Sequence, residues 1–420
     1  MQDIIITNGS LILPDSVIYN GAVHIGGGKI IHIGTERDAY FDKYLKTGFS
    51  EVHRLGENPY AAQEKIQQNI RQGDALIFNA AGSYVSPALV ELHIHGCGGY
   101  DIEDPAPEDP EETIIEKIAS YLSQRGVGYF LPTVVYDKSV LSSLTFRIKA
   151  YKPSARILGI YMEGPFISKE KRGGIHEGNI CRYDPNILEE IYNLSKGYLK
   201  MMTMAPEIPG AKDILSRIVK YKIVPAFGHS NAEYSEIAKL ENVAVLNITH
   251  LYNGMSGVSH KKPGLAHWAL LNDSLYTELN CDGTHVHSAA MELTFRLRPH
   301  NRIVLISDAT PAAGLPPGDD SVTMREKRLI VKKSGVYEKE SGVLVGSRLL
   351  VNDSIYRIHK EFGIPIWEAV KMASANPLRL LGVNSSGLLK EGMDADISVF
   401  DKKFNNCHLQ LFHGEIMHPF

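Results

Sequence analysis

Eight short apolar runs, separated by longer amphipathic stretches, recur through the middle of the chain. They are Ala88 to Leu92, Tyr129 to Val134, Ile157 to Met162, Leu199 to Met204, Ile223 to Phe227, Val243 to Ile248, Leu275 to Leu279 and Ile303 to Ile306. Strand-length apolar runs alternating with helix-length amphipathic segments are the rhythm of repeated βα units, which put parallel strands side by side under a layer of helices. Eight such units predict an α/β protein with a closed (β/α)8 TIM-like barrel, whose active site is built at the C-terminal strand ends. An open doubly wound sheet is the alternative, but no glycine fingerprint for a dinucleotide follows any of the runs.

The two ends of the chain read differently. Ile4-Ile5-Ile6, Ala22 to Ile25 and Lys29 to Ile33 are short β-rich runs punctuated by Gly and Asn, and Asp394 to Phe400 has the same texture. The ends therefore predict a small β-sandwich domain formed jointly by the N- and C-terminal segments, with the barrel inserted between them. The expected division is 1–85 and 387–420 for the small domain and 86–386 for the barrel. A polar excursion over 38–73 has helical texture around Ala61 to Arg71.

Chemistry-bearing side chains follow the runs at one repeated phase. His93-Ile94-His95 comes after the first run, Glu163 after the third, His229 after the fifth, His250 after the sixth and Asp308 after the eighth. Residues i and i+2 share one side of an extended strand, so His93 and His95 can converge on one ion while Ile94 faces away. Scattered structural histidines have no reason to repeat at that phase, whereas a strand-end metal site requires it. Neutral imidazole and carboxylate are ligands for Zn²⁺ and similar divalent ions when a position must stay open for water. Asp308 could be a helix N-cap. A base beside a metal that takes a proton from water and returns it to a leaving nitrogen is the reading we prefer.

Composition excludes several other classes. The chain of 420 residues is 44% hydrophobic and 22% charged, which is ordinary for a globular protein. A net charge of -4 and a pI near 6.5 provide no global basic field for nucleic acid or an anionic membrane. No apolar run approaches the roughly 18 residues of a spanning helix, and no Lys or Arg precedes the apolar stretch at the N-terminus as a secretory signal would need. A cytoplasmic protein is expected. Cys97, Cys181, Cys281 and Cys407 are far apart and form no CxxC pair, so they are expected to be reduced and buried.

Ordered motifs then bring a family into view. The segments are Glu91-Leu92-His93-Ile94-His95-Gly96-Cys97-Gly98-Gly99, Met162-Glu163-Gly164-Pro165-Phe166, Ala205-Pro206-Glu207, Gly228-His229-Ser230-Asn231-Ala232 and Thr249-His250-Leu251-Tyr252-Asn253-Gly254-Met255. Pro263-Gly264-Leu265, Asp282-Gly283-Thr284-His285, Ser307-Asp308-Ala309, Gly346-Ser347 and Ala373 to Pro377 continue the series. This set resembles the amidohydrolase superfamily and, within it, the N-acetylglucosamine-6-phosphate deacetylases.

The resemblance implies metal-dependent hydrolysis of the N-acetyl group of N-acetylglucosamine 6-phosphate, with Glu163, His229 and His250 holding the principal divalent ion and Asp308 moving the proton. His93 and His95 match a first-strand pair that some of these deacetylases lack, which permits a second ion. Zn, Fe, Co or Mn would suit the ligand set. Substrate contacts carry over to His176, Asn253, Gly254, His285 and the segment from Leu344 to Gly346, and a homodimer is implied. Lys261 stands where the family commonly has Arg, a point charge in place of a planar fork at the phosphate position. Glu91 replaces a usual Asp, and Tyr161 and Gly254 also depart from the pattern. Alternatives are a deacetylase of another N-acetyl amino sugar or N-acyl amino acid, and a non-catalytic sugar-binding barrel.

Overall fold

The computed structural model describes residues 2–41, 52–55, 75–104, 113–151, 154–240 and 245–419. The helical texture expected over Ala61 to Arg71 and the start of the sixth apolar run lie outside these residues. Two compact units make up the chain, one of Met1–Val90, Leu122–Tyr129 and Ile355–Phe420, the other of Glu91–Tyr121 and Phe130–Ser354.

In the first unit, strands from the two ends of the chain share one nine-stranded sheet. Ile397–Phe400 runs antiparallel to Tyr84–Pro87, with Val399 opposite Val85, and Tyr84–Pro87 lies in turn beside Ile4–Ile12. The period-2 pattern explains why one strand serves two apolar layers. Ile4 and Ile6 pack with Val23, Ile25, Phe78, Val399 and Leu409, while Ile5 turns the other way against Ala22, Phe41 and Ile77.

Eight strands of a nine-stranded sheet form the barrel, the ninth being the short Arg156–Ile157 beside Val127–Val135. We label these β1 (Leu89–Ile94), β2 (Val127–Val135), β3 (Ile160–Glu163), β4 (Leu199–Met204), β5 (Val224–Phe227), β6 (Asn247–Ile248), β7 (Tyr276–Asn280) and β8 (Ile303–Ile306). They pair in sequence order, β1 with β2 and on through β7 with β8. The ring closes where Ile94 bridges Ala309 in parallel and the Asp308 amide donates to the His93 carbonyl. Each of the eight expected runs contributes strand, the third in two pieces, Arg156–Ile157 and Ile160–Glu163, and the sixth at Asn247–Ile248. Four end further along than the sequence implied, among them β1, so that His93 lies within it, and β3, whose last residue is Glu163.

The helices show why the rhythm was readable. In Ala211–Lys220 the residues Ala211, Ile214, Leu215 and Ile218 are buried, an i, i+3, i+4, i+7 stripe with charged residues opposite. Lys138–Ala150 starts at Asp137, whose side chain accepts from the amides of Ser139 and Val140. After β8 the chain builds a four-stranded antiparallel sheet from Thr323–Met324, Lys327–Lys332, Gly335–Glu338 and Leu344–Gly346, around Met324, Leu329, Val331 and Val336. Among the described residues no helix is long and apolar enough to cross a membrane. The four cysteines are free, Cys97, Cys281 and Cys407 buried and Cys181 partly exposed.

Candidate active site

The strand ends bring the expected ligands together. Glu163 Oε1 lies 2.8 Å from His229 Nε2 and 3.0 Å from His250 Nε2, and the two imidazole nitrogens are 3.1 Å apart. His93 Nε2 stands 3.7 Å from the same carboxylate oxygen, and His95 Nε2 stands 3.6 Å from Glu163 Oε2. Asp308 Oδ1 is 3.8 Å from His93 Nε2 and 3.5 Å from His95 Nε2. One carboxylate thus joins two half-sites, Glu163–His229–His250 and His93–His95–Glu163, each able to hold a metal ion.

Three of these residues reach the cluster through strained backbone. His229, His250 and Asp308 have φ of 45°, 27° and 52°. A side chain beyond glycine adopts this left-handed region at a cost of about 1–3 kcal/mol, and such residues concentrate at functional sites. Glycines supply the close approach around them. A Cβ on Gly254 (φ +55°) would sit 2.9 Å from His229 Nδ1, and one on Gly346 would sit 2.8 Å from the Asp308 carbonyl. The strand Leu344–Gly346 therefore runs directly against the Asp308 loop, and the Ser347 amide donates to that carbonyl at 3.0 Å.

Outer partners orient the imidazoles. His229 Nδ1 is 2.7 Å from the Lys171 carbonyl, an acceptor only, so Nδ1 carries a proton and Nε2 is the atom presented to Glu163. His93 Nδ1 is held at 3.0 Å by Glu278 Oε2, and His93 Nε2 is buried without a hydrogen-bond partner among the described residues. A buried, unpaired imidazole nitrogen facing carboxylates is what a metal ligand looks like without its ion, so the residues fit a divalent cation.

The electrostatics agree. Burial alone would raise the Glu163 carboxyl, but the charge and hydrogen bond of His229, with His250 and His93 behind, hold it well below the usual carboxylate range. Burial opposes charge on His93 too, yet the Glu278 hydrogen bond and the charges of Asp308, Glu278 and Glu163 push it up to about 10. Asp308 is lowered against its own burial by His93, His95, His250 and His285. His285 is raised because its Nδ1 contact with Asp282, at 2.7 Å, outweighs burial. Carboxylates draw protons onto His93, His229 and His285, while burial lowers His95, and a pocket whose carboxylates do this attracts a cation.

The remaining expected residues stand further out. His176 is exposed and caps the turn Glu177–Asn179, its Nδ1 accepting from the Gly178 amide at 3.1 Å. Asn253 follows His250 with its amide bonded to the His250 carbonyl. Lys261 is exposed, with its amide on Ser259 Oγ at 3.3 Å. Glu278 and Arg325 were not anticipated. Arg325 lies at the hairpin turn after Thr323–Met324, close enough for its charge to act on His95 and Glu163.

Residues 84–414 match the Amidohydrolase family. The chain belongs to this family. As an amidohydrolase it is similar to N-acetylgalactosamine-6-phosphate deacetylase of Escherichia coli O157:H7, 31% identical over 364 residues, covering 85% of this chain and 91% of that one. N-acetylglucosamine-6-phosphate deacetylase of Bacillus subtilis is 27% identical over 95% of this chain and 93% of its own length. The crystal structure of N-acetylglucosamine-6-phosphate deacetylase from Thermotoga maritima superposes with a TM-score of 0.78 at 28% identity, covering 99% of this amidohydrolase and 100% of that chain. The enzyme is a hydrolase with clusters able to hold a metal on the strand ends of a barrel.

Proposed function

We propose that this amidohydrolase removes the acetyl group of N-acetylglucosamine 6-phosphate, releasing acetate and glucosamine 6-phosphate. The observation that carries the reading is the convergence of Glu163, His229 and His250 beside Asp308 at one end of the barrel. The names of the relatives supply the substrate class.

Glu163, His229 and His250 would hold the principal divalent ion, with His93 and His95 completing a second position; zinc is our first assignment, with iron, cobalt or manganese in reserve. Bound there, such an ion polarises an amide carbonyl and acidifies water. Asp308 Oδ1 takes the proton of the attacking water and returns it to the departing sugar nitrogen, and its lowered carboxyl keeps it ionised to accept that proton. His176 contacts the carbonyl oxygen as negative charge develops on it. Asn253, Gly254, His285 and the strand Leu344–Gly346 line the sugar, and Lys261 meets the phosphate. The absence of a spanning helix among the described residues and the four free cysteines support a cytoplasmic location, and the family resemblance supports a homodimer.

The galactosamine isomer is a second reading, favoured by the Escherichia coli relative. Steady-state deacetylation of the two phosphorylated isomers and of unphosphorylated N-acetylglucosamine, with a chelator control, tests both. Chelator-sensitive turnover led by N-acetylglucosamine 6-phosphate supports the first reading. A lead for the galactosamine sugar supports the second, and turnover indifferent to phosphate or chelator overturns both.

A further inference from the structure

Glu278 occupies the middle of β7 and is completely buried. Its Oε1 accepts from Asn247 Nδ2 at 2.6 Å, and its Oε2 accepts from the His250 backbone amide at 3.1 Å. Oε2 also lies 3.0 Å from His93 Nδ1. Since both oxygens already accept from N–H donors, the proton in this third contact belongs to the imidazole, on Nδ1. In the neutral ring that metal binding requires, the His93 lone pair is thereby left on Nε2. That atom lies 3.7 Å from Glu163 Oε1 and 3.8 Å from Asp308 Oδ1, spacings that one ion of ordinary bond length, about 2.0–2.1 Å to nitrogen, can bridge.

We propose that Glu278 is a positioning residue that, through its hydrogen bond to Nδ1, locks His93 in the tautomer and orientation that make Nε2 a ligand for a divalent cation. The inference rests on the metal reading of the cluster and extends it to a residue outside the ligand set. The carboxylate is itself fixed from two sides, by β6 through Asn247 and by the amide of His250. Among the described residues no second hydrogen bond holds His93 Nδ1, and the rings of His95, Tyr161 and His250 stand at 5.0 to 5.4 Å between centroids. Losing the acceptor would free the ring to exchange tautomers and to turn, and a partner of this kind typically controls metal affinity by about 10- to 100-fold.

Co²⁺ titration of metal-stripped protein, read from the visible bands of the coordinated ion and from the metal content of the loaded protein, tests this. Wild type is compared with Glu278→Gln, Glu278→Ala, His93→Asn and the double variant Glu278→Gln/His93→Asn. Glu278→Gln keeps the shape and one acceptor and is expected to weaken Co²⁺ binding by about 10-fold, and Glu278→Ala by about 100-fold. In the His93→Asn background, Glu278→Gln is expected to change affinity by less than about 3-fold, because the ring it acts through is gone. Unchanged affinity in Glu278→Gln, or an undiminished effect in the His93→Asn background, would overturn the proposal. The isosteric Gln carries the test should Glu278→Ala fail to fold. Wild-type protein that takes up no Co²⁺ would overturn the metal reading itself, and this inference with it.

Discussion

Arg325 holds Glu103 in a two-point grip, Nε to Oε2 at 2.7 Å and Nη2 to Oε1 at 2.9 Å. Glu103 Oε1 also accepts from the amide of Val135, the last residue of β2. The pair thus ties the hairpin that follows Thr323–Met324 to the end of a barrel strand. Both side chains are largely out of solvent, so removing one partner strands the other's charge. Arg325→Ala is expected to lower unfolding stability by about 3 kcal/mol, and Arg325→Met combined with Glu103→Gln to lose less than either truncation. Urea denaturation of the singles and the double measures the difference; additive losses would show that the two do not act as a pair.

Asp308→Asn keeps the size of the side chain and removes the base. Turnover is expected to fall by about 10²- to 10⁴-fold while bound metal per chain stays at the wild-type level. Kinetics alongside elemental analysis decide this, and near-normal turnover would remove Asp308 from the proton path.

Removing the metal should destabilise as well as inactivate, because His229 and His250 press their Nε2 atoms to 3.1 Å of each other against one carboxylate. A ligand that binds only the folded state adds about 2.7 kcal/mol at a concentration 100-fold above its dissociation constant. Chelator treatment is expected to lower the melting temperature, and Co²⁺ to restore it in wild type but not in Glu163→Gln.

Asp101 gives a pH signature away from the metal ligands. Burial, with Glu103 adding its charge, pushes the Asp101 carboxyl up to about 7. The folded chain therefore keeps a proton that the unfolded chain releases near pH 4. The sign follows: stability is full below about pH 4 and declines as pH rises through 7. Asp101→Asn should gain about 2–4 kcal/mol at pH 8 and almost nothing at pH 4. Equal effects at both pH values would contradict the raised carboxyl.

Lys261→Ala should reduce the preference for a phosphorylated over an unphosphorylated sugar by about 10-fold, chiefly through KM, if Lys261 meets the phosphate as one charge-assisted contact. An unchanged ratio would move the anion contact elsewhere.

The strand-end residues were readable because barrel geometry repeats: each ligand follows an apolar run at one phase, and the motif order did the rest. Glu278 obeys no such phase. It sits inside a run, where a buried strand is expected to be continuously apolar, and only its contacts across the barrel to His93 and His250 give it meaning. The sheet formed by Thr323–Gly346 was equally hidden. Its first turn places Arg325 and Glu326 at φ of 49° and 68°, so the glycine or asparagine that normally signals a tight hairpin is missing. Arg325 could therefore not be placed near His95 from the sequence.

The left-handed backbone at His229, His250 and Asp308 sets stability against chemistry at the same three positions. Glycine at any of them would relax the chain and erase a functional group in one step. Selection of random variants for heat endurance alone should therefore drift toward glycine at Asp308, which lies outside the ligand set, yielding a hardier but inert barrel, while at His229 and His250 the lost metal offsets the relaxed backbone; selection that also demands turnover should leave all three untouched.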